Sequence, residues 1–502
     1  MASRRMAVCL IGLVSLLVAC KENGTGPTGP CGFGTSCAGN QQLANLSLSP
    51  LFDTLLVGDK AQIVFSATNS SGAAVSGITV TYKSSDTAVA KVDTAGLITA
   101  ASAGASTITI AAGGLKASSH LTVLTPSVVL LSSDADYSCM VLTLGRGYCW
   151  GQDGTGQLAA SAPTTCFDSA SASLSPCATS PIAMSGGFRF VALSAGGVVA
   201  CALTTSGVAY CWGDNTFGEL GNGVGSGAAS TPTKVSSALT FTGLAAGAQH
   251  VCGLATGSRV FCWGSDSFGQ LGDTGIVNST TPIPAESAGV VASFTSVTAG
   301  AAHTCALKAG GVAYCWGANV TGQLGIGTVD ANEHSSPVQV LGGHTFTALT
   351  GGGTHTCGLT SAGAAYCWGD NSAGETGNGS AGGPQPTPVL VVGGPSAGFK
   401  ELSAGDDFTC GLSGSAVYCW GSNADGQIGA GAGVTGGNIL VPSKVSGSLT
   451  FSYVSAGKRH ACAIITAGAG AACWGSNLFG ALGNSLQAAV SGVPVVVGTP
   501  LI

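Results

Sequence analysis

The chain has 502 residues, of which 45% are hydrophobic and only 8% are charged, and 81 residues are glycine. This length exceeds the usual size of one domain, and so much glycine with so little charge indicates short strands joined by tight turns. The net charge of −6 provides no basic surface for a nucleic-acid backbone or an anionic membrane, so we expect no nucleic-acid partner.

Residues 1–19 have the organisation of an export signal. Arg4 and Arg5 make a positively charged start, and residues 6–19 form an apolar segment. The segment ends in Leu17-Val18-Ala19-Cys20, which resembles the bacterial lipobox. The resemblance implies cleavage after residue 19, lipid on Cys20, and an exported protein anchored to the cell envelope. The alternative is an ordinary signal peptide that ends before a cysteine by chance.

Residues 20–42 form a tether rich in Gly, Pro and Thr, as is typical of lipoproteins. Lys21 stands where lipoproteins retained in the inner membrane carry aspartate, which favours the outer membrane or the cell surface. Cys31 and Cys37 are expected to close a local disulfide loop in the tether. No later run of about 18 or more apolar residues follows, so lipid on Cys20 is the expected membrane attachment.

Residues 43–125 predict a small all-β domain, because short alternating segments are broken by Gly and Asp turns. The diagnostic segments are Leu55-Leu56-Val57-Gly58-Asp59, residues 84–93, Gly96-Leu97-Ile98-Thr99-Ala100 and residues 103–108. Together they resemble the group 2 bacterial immunoglobulin-like domain, a β-sandwich of adhesins and other surface proteins. The resemblance implies a spacer that lifts the next domain off the membrane.

The cysteines of the remaining chain recur in pairs. Once Cys9 in the signal and Cys20 are set aside, an even number remains, which suits disulfides in an oxidising compartment. Seven pairs have nearly the same separation, and Trp-Gly follows the second cysteine of each. They are Cys139 and Cys149, Cys201 and Cys211, Cys252 and Cys262, Cys305 and Cys315, Cys357 and Cys367, Cys410 and Cys419, and Cys462 and Cys473. Metal binding is the alternative, but the C-x-x-C knuckles or interleaved histidines of zinc sites are missing from the sequence.

The seven tryptophans of the protein mark a repeat of 51 to 54 residues, with a longer first interval of 62. They are Trp150, Trp212, Trp263, Trp316, Trp368, Trp420 and Trp474. A shared motif, Cys-Trp-Gly-x-[Asn/Asp]-x-x-Gly, keeps its register in every repeat. A fixed period of this length predicts an array of similar supersecondary units.

Each cysteine pair predicts a disulfide within one β-hairpin. Between Cys357 and Cys367 the chain alternates about the turn Ser361-Ala362-Gly363, in which glycine suits the left-handed position. The two cysteines then face each other with their Cα atoms about 4.5 Å apart, which is within disulfide range. Each such bridge is worth roughly 2.8 kcal/mol by chain entropy.

The repeats resemble those of the regulator of chromosome condensation family. Three elements carry the resemblance, Ala-Gly-x-x-His, Trp-Gly-x-Asn and Gly-Gln-Leu-Gly, as in residues 297–327. The resemblance covers residues 126–502 and implies a seven-bladed β-propeller of four-stranded blades. Ring closure is expected to bring residues 128–131 beside residues 493–497 and to leave no free sheet edge.

The resemblance does not by itself supply a function. The founder of the family is a nuclear exchange factor for a small GTPase, and we expect no small GTPase partner for an exported, disulfide-bonded chain. Secreted bacterial relatives include an inhibitor of β-lactamase, although no inhibitory residue can be matched in this sequence.

The repeated polar residues are interpreted as structural. His250, His303, His355 and His460 each precede a repeat cysteine by two residues, and we expect each to form a hydrogen bond within its own blade. The alternative is a metal or acid-base cluster on one face. The motif Asp/Asn residues are expected to cap turns. They are Asp153, Asn215, Asp266, Asn319, Asn371, Asn423 and Asn477. Asp406-Asp407 and Asp134-x-Asp136 are close acidic pairs without the remaining ligands of a calcium loop.

No nucleophile elbow, phosphate-binding loop or dinucleotide fingerprint is present in the sequence, so we expect no catalytic residues, no metal and no cofactor. The predicted function is a non-enzymatic surface module whose propeller binds an extracellular protein or glycan. An inhibitor of a secreted enzyme and a polysaccharide hydrolase are the alternatives.

The enlarged first interval, residues 152–187, is the predicted binding rim, because variable loops usually carry specificity. It contains a further cysteine pair, Cys166 and Cys177, and the candidate rim residues Phe167, Asp168, Phe188 and Arg189 lie in or beside it. The alternative is a disordered insertion.

Overall fold

The N-terminal domain is a small β-sandwich. The computed structural model describes residues 42–49, 53–168, 173–275, 277–285, 293–431, 433, 435–466, 470–486 and 490–498. Cys20, Cys31 and Cys37 lie outside these residues. The sandwich strands are β1 (Asn45–Leu48), β2 (Thr54–Leu56), β3 (Lys60–Gln62), β4 (Phe65–Thr68), β5 (Thr81–Ser84), β6 (Ala90–Val92), β7 (Leu97–Ala100), β8 (Gly104–Ala112) and β9 (Leu115–Leu124).

The sandwich strands form sheets in the orders β2-β9-β8-β5 and β3-β7-β6, with a separate pair, β1-β4. The long strand β8 buries every second residue, including Ile108 and Ile110, as expected for a strand with one face toward a core. Leu121 and Val123 of β9 pack against them. Of the segments that predicted an all-β domain, residues 96–100 contain β7 and residues 103–108 contain the first half of β8.

Seven further sheets follow, each built from one continuous stretch of chain. Blade 1 has β10 (Val128–Asp134), β11 (Tyr137–Leu142), β12 (Arg146–Gln152), β13 (Thr164–Asp168) and β14 (Ser173–Ala183). Blade 2 has β15 (Phe190–Ala195), β16 (Val199–Thr204), β17 (Ala209–Gly213) and β18 (Ala229–Lys234). Blade 3 has β19 (Phe241–Ala246), β20 (His250–Ala255), β21 (Arg259–Ser265) and β22 (Asn278–Pro284).

Blade 4 has β23 (Phe294–Ala299), β24 (His303–Lys308), β25 (Ala313–Gly317) and β26 (His334–Gln339). Blade 5 has β27 (Ala348–Gly351), β28 (His355–Leu359), β29 (Ala365–Asn371) and β30 (Gly382–Leu390). Blade 6 has β31 (Glu401–Ala404), β32 (Phe408–Ser413), β33 (Ala416–Ser422) and β34 (Asn438–Lys444). Blade 7 has β35 (Phe451–Ala456), β36 (His460–Ile465), β37 (Ala471–Ser476) and β38 (Val490–Val496). Two short 3-10 turns, Thr143–Gly145 and Leu478–Gly480, complete the described regular structure.

The seven sheets form a closed ring. The first strand of each blade contacts the first strand of the next, and β35 of blade 7 contacts β10 of blade 1. These first strands therefore surround the central channel. The predicted fold, a β-sandwich followed by a seven-bladed propeller with hairpin disulfides, is confirmed.

The two ends of the propeller lie beside each other, as predicted, but they do not pair, so the expectation that ring closure leaves no free sheet edge is wrong. Strand β38 pairs with β37, and β10 contacts β35 and β36 without joining their sheet. Val128 and Leu131 share a buried cluster with Val497, but the cluster lies between two blades. The reason is that the C-terminal segment supplies all four strands of blade 7, so the N-terminal segment contributes none to it.

Every blade has a disulfide between directly opposed cysteines of its two middle strands. In blade 5, Cys357 lies opposite Cys367, and the connecting turn has Gly363 at φ +80°. The Cα atoms of the seven pairs lie 4.0 to 4.1 Å apart. An eighth disulfide joins Cys166 to Cys177 in the part of the insertion that the structure describes. There the chain forms β13 and β14, so the described part is not a disordered insertion.

The repeated tryptophans join neighbouring blades. Each indole is fully buried, and its Nε1 donates a hydrogen bond of 2.8 to 3.0 Å to a main-chain carbonyl oxygen of the preceding blade. The acceptors, from Trp150 to Trp474 in chain order, are Ala481, Gln157, Glu219, Gln270, Gln323, Glu375 and Gln427. The acceptor always follows the last glycine of the motif. The motif therefore encodes the contacts between blades.

The four repeat histidines also act between blades, so the expected bonds within each blade are wrong. His303 Nε2 lies 2.8 Å from Thr356 Oγ1 of the next blade, and that hydroxyl donates to Gln323 O. Because the hydroxyl proton is used, the histidine carries its proton on Nε2. Burial lowers the pKa of His303 to about 3 and those of the other three to about 4, so all four rings are neutral at pH 7.

Candidate functional site

One end of the central channel opens between seven short turns. Each turn follows the first strand of a blade, and together they surround a cavity of about 350 Å³. We call this opening the mouth. Its lining consists of Asp134, Ala135, Gly197, Val198, Ala248, Gln249, residues 299–301, residues 351–353, residues 404–406, Ala456 and Lys458. Every blade contributes to the mouth.

The charges of the mouth are confined to three consecutive blades. The turns of blades 2 to 5 contain only small or uncharged residues, such as Gly196-Gly197-Val198. The turns of blades 6, 7 and 1 are Gly405-Asp406-Asp407, Gly457-Lys458-Arg459 and Asp134-Ala135-Asp136. The mouth is therefore polar on one side and bordered by small residues on the other.

The carboxyl groups of the mouth are half-buried and bind protons more tightly than usual. Burial, together with the nearby charge of Asp406, raises the pKa of Asp134 to about 7, although Lys458 and the Ala135 N–H oppose the change. Burial raises the pKa of Asp406 to about 6, again against Lys458. A cationic group in the mouth would favour the ionised forms, so such a ligand would bind with release of protons.

Two consecutive basic residues of blade 7, Lys458 and Arg459, contact the neighbouring blades at the charged side of the mouth. Arg459 lies 3.8 Å from a carboxylate oxygen of Asp136 in blade 1 and 3.8 Å from one of Asp425 in blade 6. The main-chain N–H of Lys458 donates to Ala135 O at 3.2 Å, while its side chain is exposed. Arg459 is thus engaged between blades, and Lys458 presents its ammonium group to solvent.

The β-sandwich contacts the face of the propeller opposite the mouth. Three residues separate the end of the sandwich strand β9 from the start of β10 at Val128, and β10 reaches the mouth at Asp134. A strand of this length separates its ends by roughly 20 Å. At the sandwich end, the Arg146 guanidinium forms a two-pronged ion pair with Asp59, which also accepts a hydrogen bond from Leu56 N. This attachment leaves the mouth uncovered by the sandwich.

The predicted rim residues do not form one surface. Phe167 is 61% exposed on β13, and β14 pairs with the mouth end of β12 through Gln152 and Cys177. Phe188 instead packs against Tyr210, with ring centres 4.5 Å apart. Arg189 precedes β15 at the sandwich end. The structure describes only the backbone of Asp168, at the end of β13.

The seven motif Asp/Asn residues cap turns. In each blade the Oδ1 atom accepts a hydrogen bond from the main-chain N–H five residues later, as Asn477 does from Leu482 at 2.9 Å. The other six bonds involve Asp153, Asn215, Asp266, Asn319, Asn371 and Asn423. Their side chains are therefore engaged in folding.

The described residues include no group of three His, Cys, Asp or Glu side chains that could hold a metal ion. In the same part of the chain, no helix is long and apolar enough to cross a bilayer.

Sequence reasoning did not assign a role to Asp134, Asp406 and Lys458. The two acidic pairs resemble an incomplete calcium loop, and Lys458 belongs to no motif of the sequence. Alignment of the repeats reveals them, since all three residues occupy a turn that carries no charged residue in blades 2 to 5.

Family models match both parts of the chain. The RCC1-like domain matches residues 114–435, and the regulator of chromosome condensation (RCC1) repeat matches residues 415–464. The bacterial Ig-like domain (group 2) matches residues 44–123.

Relatives share the propeller at low identity. The human E3 ubiquitin-protein ligase HERC2 is 28% identical over 293 residues, which are 56% of this chain and 6% of HERC2. The ultraviolet-B receptor UVR8 of Arabidopsis thaliana is 28% identical over 307 residues, which are 60% of this chain and 68% of UVR8. The chain thus spans only a small part of HERC2.

Solved structures share the same fold. Human WBSCR16 has a TM-score of 0.62 at 19% identity, covering 71% of this chain and 95% of its own. Prp20p of Saccharomyces cerevisiae, a protein with binding properties to Gsp1p and histones, has a TM-score of 0.61 at 19% identity, covering 74% and 88%.

Proposed function

Because this chain belongs to the RCC1-like domain family, whose members usually serve as protein-interaction scaffolds, we propose that it is a non-enzymatic binding module that holds a protein partner at the mouth. The observation that carries this proposal is the one-sided charge of the mouth. The recurrent Trp, His and Asp/Asn residues are used in folding, whereas Asp134, Asp406 and Lys458 break the repeat pattern at the opening. Residues that depart from a repeat without a structural need are candidates for binding.

The partner we propose is an extracellular protein that inserts a basic side chain into the mouth. Two carboxyl groups face one exposed ammonium group there, and the Gly and Ala turns of blades 2 to 5 leave room for an approaching loop. A lysine or arginine side chain would pair with Asp134 and Asp406 in a partly desolvated site, where ion pairs are stronger than at an open surface.

We further propose that this binding occurs outside the cell, on a protein lipidated at Cys20 and raised by the Ig-like domain. The domain contacts the propeller at the end opposite the mouth, which is the arrangement a spacer requires. Cys20→Ala should release the protein into the soluble fraction. Recovery of that variant with the membranes would exclude Cys20 as the anchor.

The binding proposal is tested with a displayed peptide library selected on the soluble chain lacking residues 1–20. We expect selected peptides to contain Lys or Arg and to lose affinity about tenfold for Asp406→Asn, which corresponds to one ion pair of about 1.4 kcal/mol. Glu333→Gln is the matched control, because it also removes one negative charge but lies on an exposed loop of blade 4.

Selection of peptides that bind both variants equally would exclude the mouth as the site. Binding of arrayed glycans, with no peptide selected, would assign the propeller to a carbohydrate partner instead.

A further inference from the structure

Within the described residues, blade 1 differs from the other blades by its additional strand. Strand β13 lies at the edge of the sheet and pairs with β14, and the disulfide Cys166–Cys177 joins the two strands. We call β13 and β14, residues 164–168 and 173–183, the clasp.

The clasp covers part of blade 7. Its disulfide packs against Phe479 and Leu478 in the turn that follows β37. Ser485 N donates to Thr179 O of β14 at 2.8 Å. A Cβ atom on Gly480 would lie 2.6 Å from the Cα of Thr179, so the two blades are in close contact here. The clasp therefore adds an apolar contact across the junction of blades 7 and 1.

An equivalent residue in blade 3 shows what the clasp contributes. Phe479 and Phe268 occupy the same position, two residues after the motif Asn477 and Asp266. Phe268 is 45% exposed, whereas Phe479 is 5% exposed. Blades 3 and 4 have the same close contact as blades 7 and 1, since Gly269, the counterpart of Gly480, packs closely against Ser335. Phe217 of blade 2, at the same position, is half-buried, so of the three phenylalanines only Phe479 is almost completely covered.

Blades 7 and 1 are the only neighbouring blades of the described ring that do not follow each other directly in the chain. The hydrogen bond between His460 and Ser138 joins residues 322 positions apart, whereas the corresponding bond between His250 and Thr304 spans 54 positions. Loop-closure entropy makes the longer connection more costly to hold closed. Additional contacts are most valuable at this junction.

The clasp disulfide is the most accessible of the eight described. Each hairpin disulfide joins two middle strands that are flanked on both sides, and both of its cysteines are fully buried. Cys166 lies on an edge strand that is paired on one side only and is 4% exposed. Local opening of five edge residues exposes Cys166–Cys177, whereas exposing a hairpin disulfide requires a blade to unfold.

We propose that the clasp is a thiol-sensitive closure of the propeller ring. A thiolate of a dithiol reductant attacks one sulfur of Cys166–Cys177, forms a mixed disulfide and releases the other cysteine. The second thiol of the reductant then displaces the first cysteine, which leaves two protein thiols and one oxidised reductant. Loss of the disulfide frees the clasp, uncovers Phe479 and loosens the junction.

Opening the junction also changes the mouth. Asp134 belongs to blade 1 and Lys458 to blade 7, and Lys458 N donates to Ala135 O across this junction. Reduction of the clasp would therefore separate the charges that we propose bind the partner. This last step rests on the proposed function, whereas the closure itself does not.

The test is graded reduction of the folded chain lacking residues 1–20 with dithiothreitol. Free thiols are alkylated and located by mass spectrometry, and hydrogen exchange is followed in parallel. We expect Cys166 and Cys177 to be alkylated at least about tenfold faster than any hairpin pair. Exchange should then rise in β10, in β35 and in residues 478–486, but remain unchanged between blades 3 and 4.

Three variants distinguish the clasp from a general effect of reductant. Phe479→Ala should raise exchange at the junction of blades 7 and 1 in the oxidised protein, whereas Phe268→Ala should leave exchange unchanged. Cys166→Ser combined with Cys177→Ser should reproduce the reduced pattern without dithiothreitol.

Simultaneous reduction of the eight disulfides that the structure describes, or unchanged exchange at the junction after selective reduction, would overturn the proposal. None of these measurements uses a ligand, so their failure would leave the proposed binding at the mouth untouched.

Discussion

Glu375→Gln should stabilise the propeller at neutral and alkaline pH but not in acid. Glu375 is 1% exposed; its Oε2 accepts a hydrogen bond from Ala373 N at 2.9 Å, while its Oε1 has no partner. Burial raises the pKa of this carboxyl group from 4.5 to about 7. The folded state therefore retains a proton that the unfolded state releases. Stability falls as the pH rises from about 4.5 to 7 and is constant above that range.

The expected gain follows from this difference in pKa. The rise of the pKa from 4.5 to about 7 corresponds to about 3 kcal/mol at pH 8 and to nothing at pH 4. Glutamine supplies the same acceptor without the charge, as Gln323 does in blade 4, where Oε1 accepts from Thr321 N at 2.9 Å. Calorimetric melting of Glu375→Gln between pH 4 and 8 should show a gain in Tm that appears between pH 4.5 and 7.

The control is the reverse change, Gln323→Glu, which should lose stability over the same pH interval. If Glu375→Gln changed the stability equally at pH 4 and pH 8, the buried charge of Glu375 would not be the cause of the lost stability.

Three other predictions concern His250, the mouth and the contact between domains. His250→Val gives blade 3 the residue that blade 2 has at the same position, Val199. Burial lowers the pKa of His250 from 6.5 to about 4, so on acidification the unfolded state takes up the proton first, and the variant should lose about 2 kcal/mol less stability than the native protein between pH 7 and pH 5 in calorimetry. An unchanged pH dependence would contradict this. The affinity of a selected basic peptide should rise from pH 5 to pH 8 in titration calorimetry as Asp406 and Asp134 ionise, with a smaller rise for Asp406→Asn. Arg146→Ala should broaden the domain arrangement seen by small-angle scattering because it removes the ion pair with Asp59, whereas Arg189→Ala, which has no ion pair within the described residues, should not.

The fold was predictable because the recurring residues of the repeat are ones whose structural positions few other residues can occupy. Trp150 and its six counterparts, with the cysteine before each and the glycines after it, fix the hairpin and the contact with the preceding blade. Residues 55–59 and 84–108 similarly predicted the sandwich. Such positions tolerate few alternatives, so their pattern remains visible in one sequence.

The contacts between blades were less predictable. The histidines were expected to bond within a blade, because a sequence shows which residue recurs but not which neighbouring blade holds its partner. Thr304, the partner of His250, lies 54 residues further along the chain and in a different sheet. The role of Phe479 was hidden for the same reason, since its cover comes from a hairpin in blade 1.

The candidate site was the least predictable part. Asp134 and Asp406 are 272 residues apart in sequence and become neighbours only when the ring closes. Recurring residues indicate the fold, whereas the mouth is distinguished by residues that depart from the repeat.

The tryptophan bonds have a consequence for how such a chain can evolve. The indole N–H of each blade donates a hydrogen bond to the preceding blade. The same blade accepts a hydrogen bond from the indole of the next blade through a main-chain carbonyl oxygen. That carbonyl belongs to Gln, Glu or Ala in different blades, so its role does not depend on the side chain. One repeat unit thus contains both the donor and the acceptor of the hydrogen bond that joins neighbouring blades. A tandem duplication of a single unit produces a copy that already fits its parent, without a second, compensating mutation elsewhere.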